Sequence, residues 1–78
     1  MSADGLIIAI ASALLKEPSS LDEKSGLETI PEWDSLRHLL LMNFLEQHYG
    51  VEFDSEEIVN TTNIGGIRKL LERHGVTP

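Results

Sequence analysis

Ser35 is the side chain of this sequence that is best placed to carry chemistry. It follows Trp33 and Asp34 at the end of a long polar stretch, and Leu36 opens a strongly apolar one, so a helix is predicted to begin at Asp34 or Ser35. The unpaired N–H groups and the dipole of a helix N-terminus favour a bound phosphate. The simpler interpretation is that Asp34 and Ser35 only cap the helix, because aspartate and serine are among the best capping residues.

Nucleophilic catalysis is a second chemistry open to this serine. A serine nucleophile needs a neighbouring base, and His38 lies one helical turn further on, within possible reach of Ser35. No third residue evidently orients His38, and the sequence has no motif for an oxyanion hole. A hydrolase is therefore only a minor alternative.

Metal binding is not predicted. No two of the three histidines have the four-residue spacing that places two ligands on one face of a helix; they are His38, His48 and His74. The acidic residues 22–28 suggest a calcium loop, but Lys24 and the position of Gly26 break its pattern.

The length and composition exclude several classes of protein. A chain of 78 residues predicts one small domain over residues 1–78, with one modest core and little room for an enclosed enzyme pocket. The chain has no cysteine, so disulfides, thiolate nucleophiles and cysteine-based zinc sites are excluded. The net charge of −7 argues against nucleic acid as a partner.

The charge is unevenly distributed. Residues 1–57 have twelve acids and three bases, a balance of −9, whereas residues 58–78 have one acid and three bases, a balance of +2. The acidic segment 1–57 favours partners with basic surfaces. The simpler explanation of the negative charge, taken by itself, is that it keeps the protein soluble.

An apolar run from Leu6 to Leu15 raises the question of a membrane segment. It has ten residues, which is too short to span a bilayer. Asp4 precedes it and no Lys or Arg does, which argues against a signal peptide. We expect a cytoplasmic monomer that does not insert into a membrane.

Two elements must position the region before Ser35. A first helix is predicted from a cap at Ser2 or Asp4 to about Lys16, because Pro18 cannot continue it. Residues 18–33 then form a connection of unusual length. Its apolar residues are expected to tether it to the core, and these are Leu21, Leu27, Ile30 and Trp33.

The second helix is predicted to end near Tyr49, with Gly50 as its stop. One face fits a core stripe of Leu41, Met42, Leu45 and Tyr49. The remaining apolar residues exceed what one stripe needs, and these are Leu36, Leu39, Leu40 and Phe44. A helix that is apolar nearly all round is either central in a bundle or offers a second face to something else.

Two shorter helices are predicted to complete the chain. Asp54 and Glu57 have the spacing of a capping box and open a helix that ends near Asn60. Thr62 or Asn63 caps a last helix that runs to about Arg73, where Gly75 stops it. Its buried stripe is expected to be Ile64, Ile67, Leu70 and Leu71, and Gly65 and Gly66 either fray its first turn or pack closely.

This order of elements resembles the acyl carrier protein family, which includes the peptidyl carrier domains. The resemblance covers the chain from about Leu6 to Leu71, and it rests on an Asp-Ser-Leu motif at its proper place in the whole pattern. The matching residues are Asp34-Ser35-Leu36, Leu41, Met42, Leu45, Glu46, Tyr49-Gly50-Val51, Asp54 to Ile58 and Thr61 to Ile64. Trp33 and His38 resemble a subset of discrete carriers more than housekeeping fatty-acid carriers.

The resemblance implies an all-α fold: a four-helix bundle of the acyl-carrier type, with a long loop between helices 1 and 2 and a short helix 3. It also implies that Ser35 carries 4′-phosphopantetheine, which a separate phosphopantetheinyl transferase attaches from coenzyme A. The thiol of the cofactor would hold an acyl or aminoacyl group as a thioester. The protein would then be a tether and substrate for other enzymes, not an enzyme itself, with Asp34 and Leu36 completing the cofactor site.

The resemblance further implies that the exposed side of helix 2 docks partner enzymes. The expected docking residues are Leu36, Arg37, Leu39, Leu40, Asn43 and Glu46. The partners would be the transferase, an acyl- or aminoacyl-loading ligase, and downstream transferases or synthases. The apolar excess could alternatively line a pocket for the acyl chain.

One departure from the family pattern bears on the pathway. Many fatty-acid carriers are acidic where this helix has Arg37 and His38. That favours a specialised pathway (polyketide, nonribosomal peptide, modified lipid or surface polysaccharide) over typical fatty-acid biosynthesis. Alternatively, these two side chains pair with Asp34 and Glu32 or stay solvated. The competing interpretation of the whole chain is an unmodified helical protein-interaction module.

Overall fold

The computed structural model describes residues 5–78, and their regular structure is helical. Four α-helices follow one another: α1 (Gly5–Leu14), α2 (Ser35–Tyr49), α3 (Ser55–Asn60) and α4 (Ile64–Arg73). A single turn of 3-10 helix, Pro18–Ser20, lies in the connection between α1 and α2. No strand occurs within residues 5–78, so the predicted all-α class is confirmed.

One hydrophobic core joins α1, α2, α4 and the long connection, and α3 packs against it through the partly buried Ile58. The predicted stripes of α2 and α4 are buried in it, except that Tyr49 is only half-buried. Trp33 is fully buried and Leu21 is nearly so, whereas Leu27 and Ile30 pack against the core from its edge. The expectation that apolar residues tether the connection is therefore confirmed. The core consists of Leu6, Ala9, Ile10, Ala11, Leu14, Leu21, Trp33, Leu41, Met42, Leu45, Phe53, Ile64, Ile67, Leu70 and Leu71.

Backbone hydrogen bonds also hold the connection across the beginning of α4. The Leu27 N–H donates to the Thr62 carbonyl at 3.0 Å, and the Ile64 N–H donates to the Ser25 carbonyl at 2.9 Å. These two bonds flank an isolated antiparallel bridge between Gly26 and Asn63. The connection is thus joined to the last helix rather than crossing the surface as a free loop.

The first turn of α4 packs closely against the same connection. The Gly65 N–H donates to the Glu23 carbonyl at 2.9 Å, and a Cβ atom at Gly65 would lie 3.1 Å from that oxygen. The Glu23 carboxylate in turn accepts two bonds from the Arg68 guanidinium, at 2.9 Å from Nε and 2.7 Å from Nη2. Of the two outcomes predicted for the glycine pair, close packing is therefore the one observed.

The helix ends agree with the sequence except at the end of α1. The Asp34 side chain caps α2, Asp54 and Glu57 form the predicted capping box of α3, and Asn63 caps α4. Gly50 ends α2 in the left-handed conformation, with φ of 69°. The possible caps of α1 at positions 2 and 4 lie outside the described residues.

Helix α1 ends at Leu14, two residues before the predicted end at Lys16. Leu15 adopts a left-handed conformation with φ of 58°, and the Lys16 N–H donates back to the Ala11 carbonyl at 2.9 Å. This bond pattern is a helix C-cap that normally uses glycine. The sequence did not indicate the stop because the residue there is leucine.

Replacing Leu15 by glycine should stabilise the protein. The left-handed conformation costs a non-glycine residue about 1–2 kcal/mol, and the Leu15 side chain is 85% exposed, so its removal sacrifices little burial. Part of the gain is offset by the greater backbone entropy of glycine in the unfolded chain. We expect the free energy of unfolding to rise by about 0.5–1 kcal/mol in urea denaturation. The control Leu15→Ala keeps the Cβ atom and should show no such gain; equal stability of the two variants would contradict the prediction.

Candidate functional site

Ser35 is the first residue of α2 and is exposed. Asp34 precedes it in extended conformation, and its Oδ1 accepts the Arg37 backbone N–H at 2.8 Å. Asp34 thus supplies the side-chain cap of this helix, and Ser35 is not the residue that supplies it. The predicted cap at this position is confirmed, and it leaves the serine at the positive end of the helix dipole.

An open groove of about 250 Å³ lies beside Ser35, between α2 and α3. Apart from the serine itself and one histidine, its lining is apolar. The residues that line it are Leu27, Ser35, His38, Leu39, Ile58 and Val59. The site therefore joins a hydroxyl at a helix N-terminus to an apolar groove of limited size.

The chain contains an internal comparison for this arrangement. Ser55 is also the first residue of a helix and also follows a capping aspartate, Asp54. The first turn of α3, however, contains Glu56 and Glu57, whereas the first turn of α2 contains no acid. Two carboxylates beside a serine oppose a bound phosphate. The cap alone therefore does not distinguish Ser35; the acid-free first turn and the groove do.

His38 lines the groove and is only 4% exposed. The Trp33 indole Nε1–H donates to its Nδ1 at 3.0 Å, and its Nε2 lies 2.8 Å from the Ile58 carbonyl oxygen. An indole N–H can only donate and a carbonyl can only accept. The two partners therefore fix His38 as the neutral tautomer that has its proton on Nε2.

The two roles considered for His38 from the sequence are both wrong. It is not solvated or paired with acids: the Glu32 carboxylate lies 3.4 Å from Lys16 Nζ instead, and Asp34 caps the helix. It also offers Ser35 no free lone pair, because Nδ1 accepts from Trp33 and Nε2 bears the proton. The physical reason is its register. His38 lies three residues before Leu41 and four before Met42, so it belongs to the buried stripe of α2, and this spacing could have revealed its burial.

Five of the six predicted docking residues of α2 are exposed, and they fall into three groups. Leu36 and Leu40 are 66% and 57% exposed, and Asn43 shares their side of the helix by its spacing. Leu39 is 55% exposed but contributes to the groove beside Ser35. Arg37 is exposed at the first turn of the helix. These residues are thus accessible, as the docking prediction requires.

Glu46 differs from the other predicted docking residues. It is half-buried, and its Oε2 accepts the Phe53 backbone N–H at 2.7 Å. This bond fastens the chain that follows Gly50 to the last turns of α2. Glu46 lies eleven residues beyond Ser35, about 16 Å along the helix axis.

The neighbours of Glu57, in the first turn of α3, stabilise the charged form of its carboxyl group. A hydrogen bond from the Asp54 N–H lowers the pKa of the Glu57 carboxyl more than desolvation raises it, and His74 and Arg73 lower this pKa further. Glu57 Oε2 lies 3.1 Å from His74 Nε2 and 3.9 Å from Arg73 Nη2. Glu57 is therefore ionised at neutral pH and links α3 to the end of α4.

No group of three or more histidine, acidic or cysteine side chains is placed to hold a metal ion within residues 5–78. None of the described helices is both long and apolar enough to cross a membrane. No protein-family model matches this chain, and no curated protein compared with it gives a significant match.

Proposed function

We propose that this chain is a phosphopantetheine-dependent carrier of the acyl-carrier type, modified at Ser35. The observation that carries the proposal is the exposed Ser35 hydroxyl at the first residue of α2, beside an apolar groove, with the cap supplied by Asp34. The serine oxygen attacks the phosphorus of the pantetheine phosphate in coenzyme A. A phosphodiester forms, the nucleotide part of coenzyme A leaves, and the transferase accepts the hydroxyl proton.

The surroundings of Ser35 suit a residue that a transferase modifies. The phosphodiester places negative charge at the positive end of α2, whose first turn has no acid to oppose it. Ser35 needs no internal base, because the transferase supplies one, and this is consistent with His38 having both nitrogens engaged. The working thiol is that of the cofactor, and the chain itself contains no cysteine.

The apolar residues of α2 serve two purposes in this proposal. Leu39 lines the groove, where an apolar acyl group on the cofactor would be shielded from water. Leu36 and Leu40 stand outside it and form the docking surface for the transferase, the loading ligase and the downstream enzymes. Arg37 at the rim of this surface favours a partner that presents an acid, and such a partner fits a specialised pathway better than typical fatty-acid synthesis.

The modification is tested by intact mass. After incubation with coenzyme A and a promiscuous phosphopantetheinyl transferase, the wild-type chain should gain one phosphopantetheine group. Ser35→Ala should gain nothing, because it lacks the attacking oxygen. The circular-dichroism spectrum of Ser35→Ala should match that of the wild type, since the Ser35 side chain is exposed and does not cap the helix. An unmodified wild type would favour the interaction module instead.

The docking surface is tested by Leu36→Glu. A charge in the middle of an apolar contact surface should lower the initial rate of modification at least about tenfold, which corresponds to ~1.4 kcal/mol. The helical circular-dichroism signal should persist, because the Leu36 side chain is 66% exposed. Leu15→Glu adds the same charge to another exposed leucine, far from the serine in sequence, and should be modified at the wild-type rate. Wild-type rates in Leu36→Glu would refute docking through this surface.

A further inference from the structure

The groove beside the candidate serine is small and lies near the surface. Of the six residues that line it, His38 alone is buried, and Leu39 and Val59 are each more than half exposed. Its volume is about 250 Å³, below the range of about 300–1,000 Å³ that is usual for pockets enclosing a drug-sized ligand. The end of the cofactor arm would share this space. The groove therefore has room for a small group and not for a long alkyl chain.

His38 is the point at which the groove meets the buried part of the protein. Its Nε2–H donates to the Ile58 carbonyl at 2.8 Å, which joins α2 to α3, and its Nδ1 accepts the indole N–H of Trp33 at 3.0 Å. Among residues 5–78, no buried side-chain nitrogen or oxygen lacks a hydrogen-bond partner. The buried boundary of the groove is thus a satisfied polar pair and not an open apolar passage.

An alkyl chain that extends past His38 must take the place of the His38–Ile58 hydrogen bond. Its methylenes would leave the imidazole N–H and the carbonyl with neither a partner nor water. One stranded polar group costs more free energy than the burial of one methylene returns, and here two groups are stranded at once. The neighbouring core offers no compensation, because Trp33, Leu41 and Met42 are at most 2% exposed and protein interiors are closely packed.

We infer that this carrier is built for short acyl groups and that His38 is the residue that limits their length. The inference rests on the carrier function proposed above. A group of butyryl size at the end of the cofactor lies along Leu39 and Val59, whereas the outer part of a long fatty acyl chain stays in water. His38 is thus a specificity-determining residue. Trp33 is a positioning residue, because its indole N–H fixes the ring that donates to Ile58.

Loading the chain from acyl-coenzyme A tests this limit. The transferase moves the acyl-phosphopantetheine as one group, so the wild type is prepared with a butyryl, octanoyl or palmitoyl thioester and each product is checked by intact mass. Retention on a hydrophobic-interaction column should increase with each longer chain, because the added methylenes remain in water. The melting temperature should stay within about 2 °C of that of the form with unacylated cofactor, because little further apolar surface is buried.

Two matched histidine variants test the role of His38. His38→Leu removes the donor to Ile58 and makes this boundary of the groove apolar. Its palmitoyl form should melt about 5 °C or more above its own unacylated form, as expected when several methylenes become buried. His48→Leu makes the same change at an exposed histidine of α2 outside the groove and should show the small wild-type difference. If His38→Leu does not fold, Trp33→Phe/His38→Leu replaces it, since this variant also removes the stranded indole N–H.

The wild type alone can overturn the inference. A palmitoyl form that elutes with the unacylated form and melts at a clearly higher temperature would mean that the protein buries a long chain, while the carrier function would stand. A palmitoyl form of the His38 variant that is no more stable than its unacylated form would show that His38 does not set the limit. A wild type that gains no mass would refute the carrier function and the inference with it, so the two kinds of failure are distinguishable.

Discussion

Replacing Gly26 by alanine is expected to cost this protein a large part of its stability. A Cβ atom at this position would overlap the Thr62 carbonyl oxygen and lie 2.8 Å from both Cα and Cβ of Asn63. Two of these atoms belong to the backbone just before α4, and the Asn63 Cβ is fixed directly to it, so no side-chain rotation relieves the contact. The segments around Gly26 and Asn63 must therefore separate, which breaks the Leu27–Thr62 and Ile64–Ser25 hydrogen bonds on either side of the bridge.

We expect the Gly26→Ala variant to lose about 3 kcal/mol or more of unfolding free energy. For a domain of this size that corresponds to a fall in melting temperature of about 12 °C or more. Gly5→Ala is the matched control, because a Cβ atom there meets nothing within 4 Å among residues 5–78. Thermal unfolding followed by circular dichroism measures both variants, and equal melting temperatures would show that the bridge is not needed for stability.

The second large effect concerns the buried pair of Trp33 and His38. Trp33→Phe removes the indole N–H and leaves Nδ1 of a nearly fully buried histidine without its donor. An unsatisfied buried group costs about 1–3 kcal/mol, and the smaller ring adds a loss of packing. We therefore expect a total loss of about 2–4 kcal/mol.

A double-mutant cycle isolates the interaction itself. His38→Phe alone strands the Trp33 N–H and the Ile58 carbonyl, whereas the double variant Trp33→Phe/His38→Phe no longer strands a group on either ring. The double variant should therefore be more stable than the sum of the two losses predicts, by about 1 kcal/mol or more. Urea denaturation followed by circular dichroism suits this test, because two of the variants lack the only tryptophan. Strict additivity would mean that the two rings are not coupled.

Local chemistry explains which parts of the fold were predictable. The caps at Asp34, Asp54 and Asn63 and the stop at Gly50 depend on neighbours within a few residues, so the sequence indicates them directly. The apolar stripes of α2 and α4 follow from helical periodicity alone. The same periodicity places His38 on the buried stripe. Because histidine is polar and the sequence does not show its hydrogen-bond partners, its side chain was expected to be exposed to solvent.

The remaining features depend on contacts between distant residues. Gly26 meets Thr62 and Asn63 only after the connection and α4 have come together, so its requirement for glycine has no local signal. The groove beside Ser35 needs Ile58 and Val59 from α3, more than twenty residues further along the chain. The position of Ser35 and the apolar residues of α2 near it were therefore predictable, whereas the side of the groove that α3 supplies was not.

Ser55 provides the internal control for the most direct test of the carrier proposal. It shares with Ser35 the first helical position and the capping aspartate, but it lacks the groove and has two acids in its first turn. Three proteins are incubated with coenzyme A and the transferase: the wild type, Ser35→Ala and Ser55→Ala. Intact mass then reports on modification, and fragment masses locate it.

The proposal predicts one phosphopantetheine group on Ser35 in the wild type and in Ser55→Ala, and none in Ser35→Ala. An unmodified wild type, or a group that remains on the chain in Ser35→Ala, would contradict it.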